Sequence, residues 1–331
     1  TLDIGPGSPT GVVAGTGSKF PAKYQNAVYV ADWTYGTLWA VHLTPDAGSY
    51  TAEKEEFVFG KPLPLTDVII HPQSGAMIFA IGGRRTQSAV YRVTYTGTES
   101  TAPAPAPALT EEMQMRRMLE DLHLPGVDPQ HAIDKAWSYL NHSDRHVRYA
   151  ARVALEKQPT ALWQTRALAE TRPQALMEAL IALARATHRP QLVIEGKPAA
   201  GASVRSTQPV AAEHAELQIE MLKAMGRLEG HQLSRDQSLA SLRTLALIFT
   251  RLGKPDPEVC AAVAEKLSPL YPTGDSAIDR ELLDLLIFTD APSAPAKALA
   301  QMATATDDWQ DIATSAVLQR NEGYARAAES A

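Results

Sequence analysis

The hydrophobic pattern changes its period once along the chain, near residue 100, and this change constrains the fold more than any other feature. Before it, short runs of alternating apolar and polar residues lie between Gly-, Pro- and Asp-rich turns, whereas after it apolar residues recur with helical spacing. Of the 21 aromatic residues (10 Tyr, 6 Phe and 5 Trp), 12 fall in the first 100 positions, but only five leucines do. Aromatic residues favour strands, and Leu and Ala favour helices. The sequence therefore predicts a β region followed by an α region.

The β region contains seven runs typical of strands, with no helix expected between them. These runs are Thr10–Ala14, Ala27–Asp32, Thr37–Leu43, Glu55–Phe59, Thr66–Ile70, Ala76–Ile81 and Ala89–Tyr95. They form two similar series about 50 residues apart, which is the length of a β-propeller blade. Two blades would leave open sheet edges. We therefore predict a partial β-propeller of about two blades over residues 1–100, with the missing blades N-terminal to Thr1.

The α region is separated from the strands by a Pro/Ala segment, residues 101–108, which favours an extended, semi-rigid linker. Helical spacing then continues over residues 109–331, interrupted by a Pro/Gly/Ser-rich loop at 189–210. Asp128-Pro129 and Asp256-Pro257 each place an N-cap acid before a first-turn proline, and Gly253 is a candidate C-cap. The predicted helices are 110–122, 129–140, 144–157, 160–170, 173–187, 212–228, 235–252, 257–268, 276–289, 294–305 and 308–319.

One helical segment has a more specific pattern. Residues 144–155 fit the HEAT-repeat pattern D-x-x-V-R-x-x-A-x-x-A-L, in which small residues let the next helix pack closely. We expect Arg148 to bond either a turn carbonyl or the Asp of a neighbouring repeat. The other predicted helix pairs share with HEAT repeats only the alternation of helices and short connections, and not this residue pattern. The prediction for residues 109–331 is thus a HEAT-like α-α superhelix, a class of fold that serves as a spacer or docking surface.

Charge and cysteine content exclude several classes of function. The net charge of −6 leaves no basic surplus for phosphates, so we expect no nucleic-acid partner. No apolar run reaches 18 residues, so no membrane span is expected. The single cysteine, Cys260, forms neither an internal disulfide nor a CxxCH haem-attachment motif. The chain starts Thr-Leu-Asp, and we interpret it as a mature product or a fragment of a longer protein.

A candidate binding site follows from blade topology, because the loops at one end of adjacent blades lie together. Six residues from these loops should share one edge near the mouth of the channel: Asp32, Trp33, Tyr35, Asp67, Arg84 and Arg85. Arginines would hold an anionic cofactor or substrate, and aromatic rings would stack on a sugar or quinone. The alternative is that the acids accept hydrogen bonds from turn amides and pair with arginines.

The remaining motifs favour structural roles. His142 and His146 have metal-ligand spacing, but an N-cap at Asp144 would leave His142 outside the helix, so no metal site is predicted. Cys260 has no nearby histidine pattern and is interpreted as a buried thiol. No Ser/His/Asp or paired-carboxylate motif occurs, and the catalytic residues stay unknown.

Three stretches resemble a known group of proteins. They are residues 19–36, residues 63–67, and residues 82–88 followed by Val90-Tyr91-Arg92-Val93. Together they resemble the last blades of large secreted planctomycete-type proteins, in which a PQQ-type sugar-dehydrogenase-like propeller precedes a HEAT-like region and a C-terminal c-type cytochrome domain. The resemblance covers residues 8–96 closely and residues 109–331 only in architecture.

The resemblance implies a fragment of a periplasmic or secreted redox protein. The full-length protein would oxidise a sugar, polysaccharide or alcohol with PQQ and calcium and pass electrons to haem c. Its partners would be the missing blades and the cytochrome domain of the same polypeptide. This chain would supply part of the propeller pocket and a helical spacer, without turnover of its own and with no cofactor in this segment. The alternative is a non-enzymatic scaffold that binds a carbohydrate or a protein.

Overall fold

A computed structural model describes residues 2–83, 85–187 and 212–304. The chain divides into two compact units. The first is Thr1–Met118 with Asp144–Val147, and the second is Leu119–Ser143 with Arg148–Ala331. The first unit holds two antiparallel sheets and the second is helical, so the predicted order of a β region followed by an α region is confirmed. The predicted helix 308–319, the loop 189–210 and Arg84 lie outside the described residues.

The first unit contains a four-stranded sheet and a three-stranded sheet, each with its strands in chain order. The first sheet consists of β1 (Pro9–Ala14), β2 (Ala27–Asp32), β3 (Thr37–Asp46) and β4 (Ser49–Phe59), and the second of β5 (Leu65–Ile70), β6 (Met77–Gly83) and β7 (Thr86–Val93). All seven predicted strands are present. Strands β3 and β4 are longer than the predicted Thr37–Leu43 and Glu55–Phe59, because they pair as far as Asp46 and Ser49. The polar residues of β4 pair through their backbones, which the hydrophobic pattern does not reveal.

One expectation for this unit was wrong, since a short helix lies between the first two strands. Helix α1 spans Ala22–Gln25 and follows Pro21, whose carbonyl accepts from the amides of Tyr24 and Gln25. Four residues are too few to show a helical period. The side chain of Gln25 is buried, and it bonds the Phe20 carbonyl and the backbone of Ala102 and Ala104. The Pro/Ala segment is therefore held within the first unit.

The two sheets repeat each other at the level of single residues. Thr10 in β1 and Thr66 in β5 both lie at a register shift and donate to equivalent carbonyls, those of Ala31 and Ala80. Two backbone hydrogen bonds of the first sheet also recur in the second. The bond from Gly15 N to Ala27 O corresponds to that from His71 N to Ala76 O. The bond from Trp33 N to Ser8 O corresponds to that from Gly82 N to Pro64 O. The 50-residue repeat of the sequence thus corresponds to a repeated structure, although two sheets do not by themselves show a closed ring.

The core of the first unit lies between the facing surfaces of these sheets. Tyr29, Leu38, Leu65 and Met77 have no exposed surface, and they belong to one apolar cluster that includes residues of both sheets. Burial of each such side chain contributes about 1.5–3 kcal/mol. Thr10 Oγ1 also donates to the carbonyl of Leu65 at 2.7 Å and thereby links β1 to β5.

The helical elements agree with the sequence prediction at most boundaries. They are α2 (Glu111–Asp121), α3 (Pro129–Trp137), α4 (Arg145–Glu156), a 3-10 turn (Thr160–Leu162), α5 (Gln164–Ala169), α6 (Pro173–Thr187), α7 (Ala212–Gly226), α8 (Arg235–Leu252), α9 (Pro257–Leu267), a 3-10 turn (Ser268–Leu270), α10 (Ser276–Phe288) and α11 (Ala294–Thr304).

The predicted caps are present in part. Asp128 accepts from the His131 amide, and Gly253 ends α8 with a φ of 106°. Asp256 precedes α9 but makes no capping hydrogen bond with its side chain. Of the helices described, none combines the length and apolar character that crossing a bilayer requires.

Candidate functional site

The loops that the repeat predicts to share one edge of the sheets do so in the structure. The β2–β3 turn contacts the end of β6 through Trp33, whose indole Nε1 donates to the Gly82 carbonyl at 2.8 Å. The Gly82 amide in turn bonds the carbonyl of Pro64, just before β5. We call this edge the rim, defined as residues 32–36, 64–67, 82–83 and 85. That the rim binds a ligand stays a prediction.

Asp32 has a structural role at the rim. Its side chain is 4% exposed, and its carboxylate accepts from the amides of Ser8 at 2.8 Å, Thr34 at 3.0 Å and Tyr35 at 3.3 Å. A Cβ on Gly7 would lie only 2.9 Å from either carboxylate oxygen. Asp32 therefore shapes the turn, as the alternative interpretation of the sequence proposed, and its oxygens are already used.

Trp33 and Tyr35 are the rim residues that present apolar surface. Trp33 is 42% exposed and Tyr35 is 49% exposed, and both lie on the turn that Asp32 holds. The hydrogen bond from Trp33 Nε1 to Gly82 fixes the indole. Gly36 completes the turn with a φ of 68°, and a Cβ there would lie 2.4 Å from the Gly60 carbonyl oxygen. Both residues therefore expose aromatic surface at the rim, and a hydrogen bond holds the Trp33 indole in place.

Asp67 and Arg85 are the charged rim residues with exposed side chains. Asp67 is exposed, and its Oδ1 accepts from the Val68 amide at 2.8 Å. A Cβ on Gly11 would lie 2.8 Å from that Oδ1, so β1 approaches Asp67 closely. Arg85 is exposed on the β6–β7 turn with a φ of 65°. The printed contacts join the Trp33 turn to Gly82 and Pro64, and Arg84 lies outside the described residues.

A second polar cluster in the first unit escaped the sequence analysis. Glu55 accepts from Lys23 Nζ at 2.6 Å and from Tyr24 OH at 2.8 Å, and its Oε2 lies 3.0 Å from His42 Nε2. The hydrogen bond from Lys23, followed by that from Tyr24, lowers the pKa of Glu55 to about 2. A cavity of about 380 Å³ lies beside them, lined also by Asn26, Glu53 and Lys54.

This cluster was missed because two of its members lie in helix α1, which has no sequence signal. The other two come from β3 and β4, whose pairing becomes known only from the register. Lys23, Tyr24 and His42 are each hydrogen-bonded to Glu55, so the cluster joins α1 to the sheet.

In the HEAT-like segment, Arg148 makes one of the two contacts expected from the sequence. Its Nη1 donates to the carbonyls of His142 and Ser143, both at 2.7 Å. Asp144 caps α4 by accepting from the amides of His146 and Val147. These contacts fix the start of the helix and place His142 outside it.

The helical unit also carries an apolar groove of about 1000 Å³ between α7, α8 and α9. Its lining includes Leu222, Met225, Leu242, Val263 and Leu270. Cys260 lies beside another cavity, of about 730 Å³, but is only 3% exposed. Burial raises the pKa of this thiol, so it is a poor nucleophile at neutral pH.

The resemblance implies haem c, PQQ and calcium in the full-length protein, with no cofactor in this segment. Haem c attachment through CxxCH needs two thiols, and Cys260 is the single cysteine of the sequence. Of the two rim carboxylates, Asp32 accepts from the amides of Ser8, Thr34 and Tyr35, and Asp67 Oδ1 accepts from the Val68 amide. In the described ranges, no three His, Cys, Asp or Glu side chains lie close enough to hold a metal ion.

Comparison with family models, curated proteins and solved structures gives no match to this chain. The geometry of the rim and the resemblance described above are therefore the basis for a proposed function.

Proposed function

We propose that the two sheets are consecutive blades of a β-propeller and that the rim binds a carbohydrate. The observation that carries this proposal is the pair of exposed aromatic residues, Trp33 and Tyr35, on a turn held by Asp32. The C–H face of a sugar ring packs well on an indole or phenol ring, because both surfaces are apolar and flat. The hydrogen bond from Trp33 to Gly82 holds the indole in place before a ligand arrives.

The charged groups of the rim suit the polar edge of a sugar. Asp67 offers carboxylate oxygens as acceptors and Arg85 offers guanidinium donors, and both side chains are exposed. A sugar ring carries hydroxyl groups around its edge and C–H groups on its faces. A rim that carries aromatic surface together with one acceptor and one donor group therefore matches a sugar better than it matches a wholly apolar ligand.

The repeated hydrogen bonds of the two sheets support the propeller part of the proposal. The resemblance adds a more specific form of it, in which a longer periplasmic or secreted polypeptide oxidises the bound sugar with PQQ and calcium and passes electrons to haem c. In that form, the helical unit is a HEAT-like stack that acts as a spacer and docking surface. In the alternative form, the chain is a non-enzymatic carbohydrate-binding scaffold, and both forms need the same rim.

The test is isothermal titration of the chain with cellobiose, maltose, lactose and xylobiose. Loss of a stacked ring removes about 0.5–1.5 kcal/mol, so Trp33→Ala and Tyr35→Ala should each weaken binding by up to about 10-fold. Tyr50→Ala is the matched control, because Tyr50 is 39% exposed on β4 and lies outside the rim. Absence of binding to all four sugars, or an equal loss in the Tyr50 variant, would overturn the proposal.

A further inference from the structure

We propose that the rim is selective for acidic sugars, and that Arg85 binds the carboxylate of a uronic acid whose ring packs on Trp33. The proposal rests on the carbohydrate binding proposed above, and it names the class of sugar that the rim takes. It depends on the order of three groups along β6. These are Asp67 beside the strand, Trp33 at Gly82, and Arg85 beyond the end of the strand.

The register of the second sheet fixes this order. Asp67 of β5 lies opposite Ala80, which precedes Gly82 by two residues in β6. Successive residues of a strand are about 3.3 Å apart, so Asp67 is level with a point about 7 Å from Gly82 along the strand. In the other direction β6 ends at Gly83, and Arg85 stands in the turn that follows. Asp67 and Arg85 therefore lie on opposite sides of Gly82.

Trp33 stands at the middle of this arrangement. Its indole Nε1 donates to the Gly82 carbonyl at 2.8 Å, and its side chain is 42% exposed. A sugar ring that packs on the indole therefore lies, along the strand, between a residue that carries a carboxylate and one that carries a guanidinium. Because Asp67 repels a carboxylate and Arg85 attracts it, a uronic acid should bind with its carboxylate towards Arg85.

The guanidinium of Arg85 is available for a ligand. The side chain is exposed, and no acidic side chain among the described residues lies within ion-pair distance of it. Arginines of the helical unit, such as Arg166 and Arg172, instead pair with carboxylates of the fold. A guanidinium presents parallel N–H groups that match the two oxygens of a carboxylate. A uronic acid supplies such a carboxylate, whereas a neutral sugar does not.

The backbone of the β6–β7 turn also distinguishes Arg85. Its φ of 65° lies in the left-handed region, which glycine and asparagine adopt most easily. Two-residue hairpin turns usually carry Asn-Gly, Asp-Gly or Gly-Gly at such positions. Gly83 pairs with Thr86, so a long cationic side chain occupies a turn position where a small residue suits the backbone better. The conformation of the turn does not itself favour arginine, which is consistent with a role for its charge in binding.

Isothermal titration with a matched pair of disaccharides tests the proposal. Cellobiose and cellobiouronic acid differ at one position, where a carboxylate replaces a CH₂OH group. The unmodified chain should bind the acid about 3- to 5-fold more tightly at low ionic strength, which is the size expected of an exposed ion pair. The methyl ester of the acid carries no charge and should bind like cellobiose.

Two variants assign the preference to one side chain. Arg85→Gln keeps hydrogen-bond donors and removes the charge, so the ratio of the two affinities should fall to about 1. Arg92→Gln is the matched control, because Arg92 is exposed on β7 and lies outside the rim, and its ratio should equal that of the unmodified chain. Both substitutions are at exposed positions, and circular dichroism should show an unchanged fold.

The outcomes separate this proposal from the carbohydrate binding on which it rests. Equal affinity of the unmodified chain for cellobiose and the acid would overturn the selectivity and leave the carbohydrate binding in place. A preference for the acid that Arg85→Gln retains, or that Arg92→Gln loses equally, would also overturn it, since Arg85 would then not be the group that binds the carboxylate. Absence of binding of either disaccharide would overturn both proposals.

Discussion

Glu170 shows how one carboxylate can organise a loop in the helical unit. Its oxygens accept from Trp137 Nε1 at 2.8 Å, from Arg172 Nη2 at 2.7 Å and from the amides of Thr171 and Arg172 at 3.0 Å. These hydrogen bonds, that of the Arg172 side chain first, lower the pKa of Glu170 to about 2. The ionised form is therefore the one that stabilises the fold.

Glu170→Gln should lower the free energy of unfolding by roughly 2 kcal/mol at pH 7, since it weakens charge-assisted hydrogen bonds. A depressed carboxyl pKa contributes stability above its unfolded value, and that contribution disappears as the pH falls from about 4.5 towards 2. Urea unfolding measures this free energy. The difference in the free energy of unfolding between the variant and the unmodified chain should therefore be smaller at pH 3 than at pH 7. Glu258 is exposed, so Glu258→Gln should change the free energy of unfolding little at either pH. An equal loss of stability in Glu170→Gln at pH 7 and pH 3 would contradict this account.

At the scale of elements, the turn between β3 and β4 depends on contacts from residues far along the chain. The Gly48 amide donates to Asp144 Oδ2 at 3.1 Å, and its carbonyl accepts from Arg116 Nη1 at 3.0 Å. Thr110 Oγ1 donates to the neighbouring carbonyl of Ala47. Asp144 thus holds this turn while it also caps α4.

Gly48→Ala should destabilise this turn, because a Cβ at that position would lie 2.4 Å from Asp144 Oδ1. Forced displacement of this kind costs about 1–3 kcal/mol, and it should lower the thermal midpoint. Gly60→Ala is the matched control in the same unit, since its Cβ would lie at an ordinary 3.4 Å from Leu63. Equal midpoints for the two variants would show that Asp144 does not constrain the turn.

The sequence predicts regular elements well and polar clusters poorly, for physical reasons. Helix α8 ends at Gly253 as expected, because a glycine C-cap is a local signal. The Glu55 cluster depends on strand register and on a four-residue helix, neither of which leaves a local pattern. For Asp32, the sequence allowed either a ligand or a turn acceptor, and only its burial identifies the turn acceptor.

At the scale of the whole molecule, the first unit combines a repeated sheet structure with one aromatic edge. The repeat brings the β2–β3 turn to the end of β6, and this places Trp33 where Gly82 can fix it. The proposed ligand-binding edge is thus a consequence of the structural repeat.

The most direct test of the central claim is a ¹H–¹⁵N NMR titration that follows the tryptophan indole resonances as an oligosaccharide is added. The indole signal of Trp33 should shift in a saturable manner. The signals of Trp39, which is half-buried on β3 outside the rim, and of Trp137 and Trp163, which are buried in the helical unit, should not shift. Saturable shifts confined to Trp33 would support carbohydrate binding at the rim. An unchanged Trp33 signal, or shifts confined to the helical unit, would contradict it.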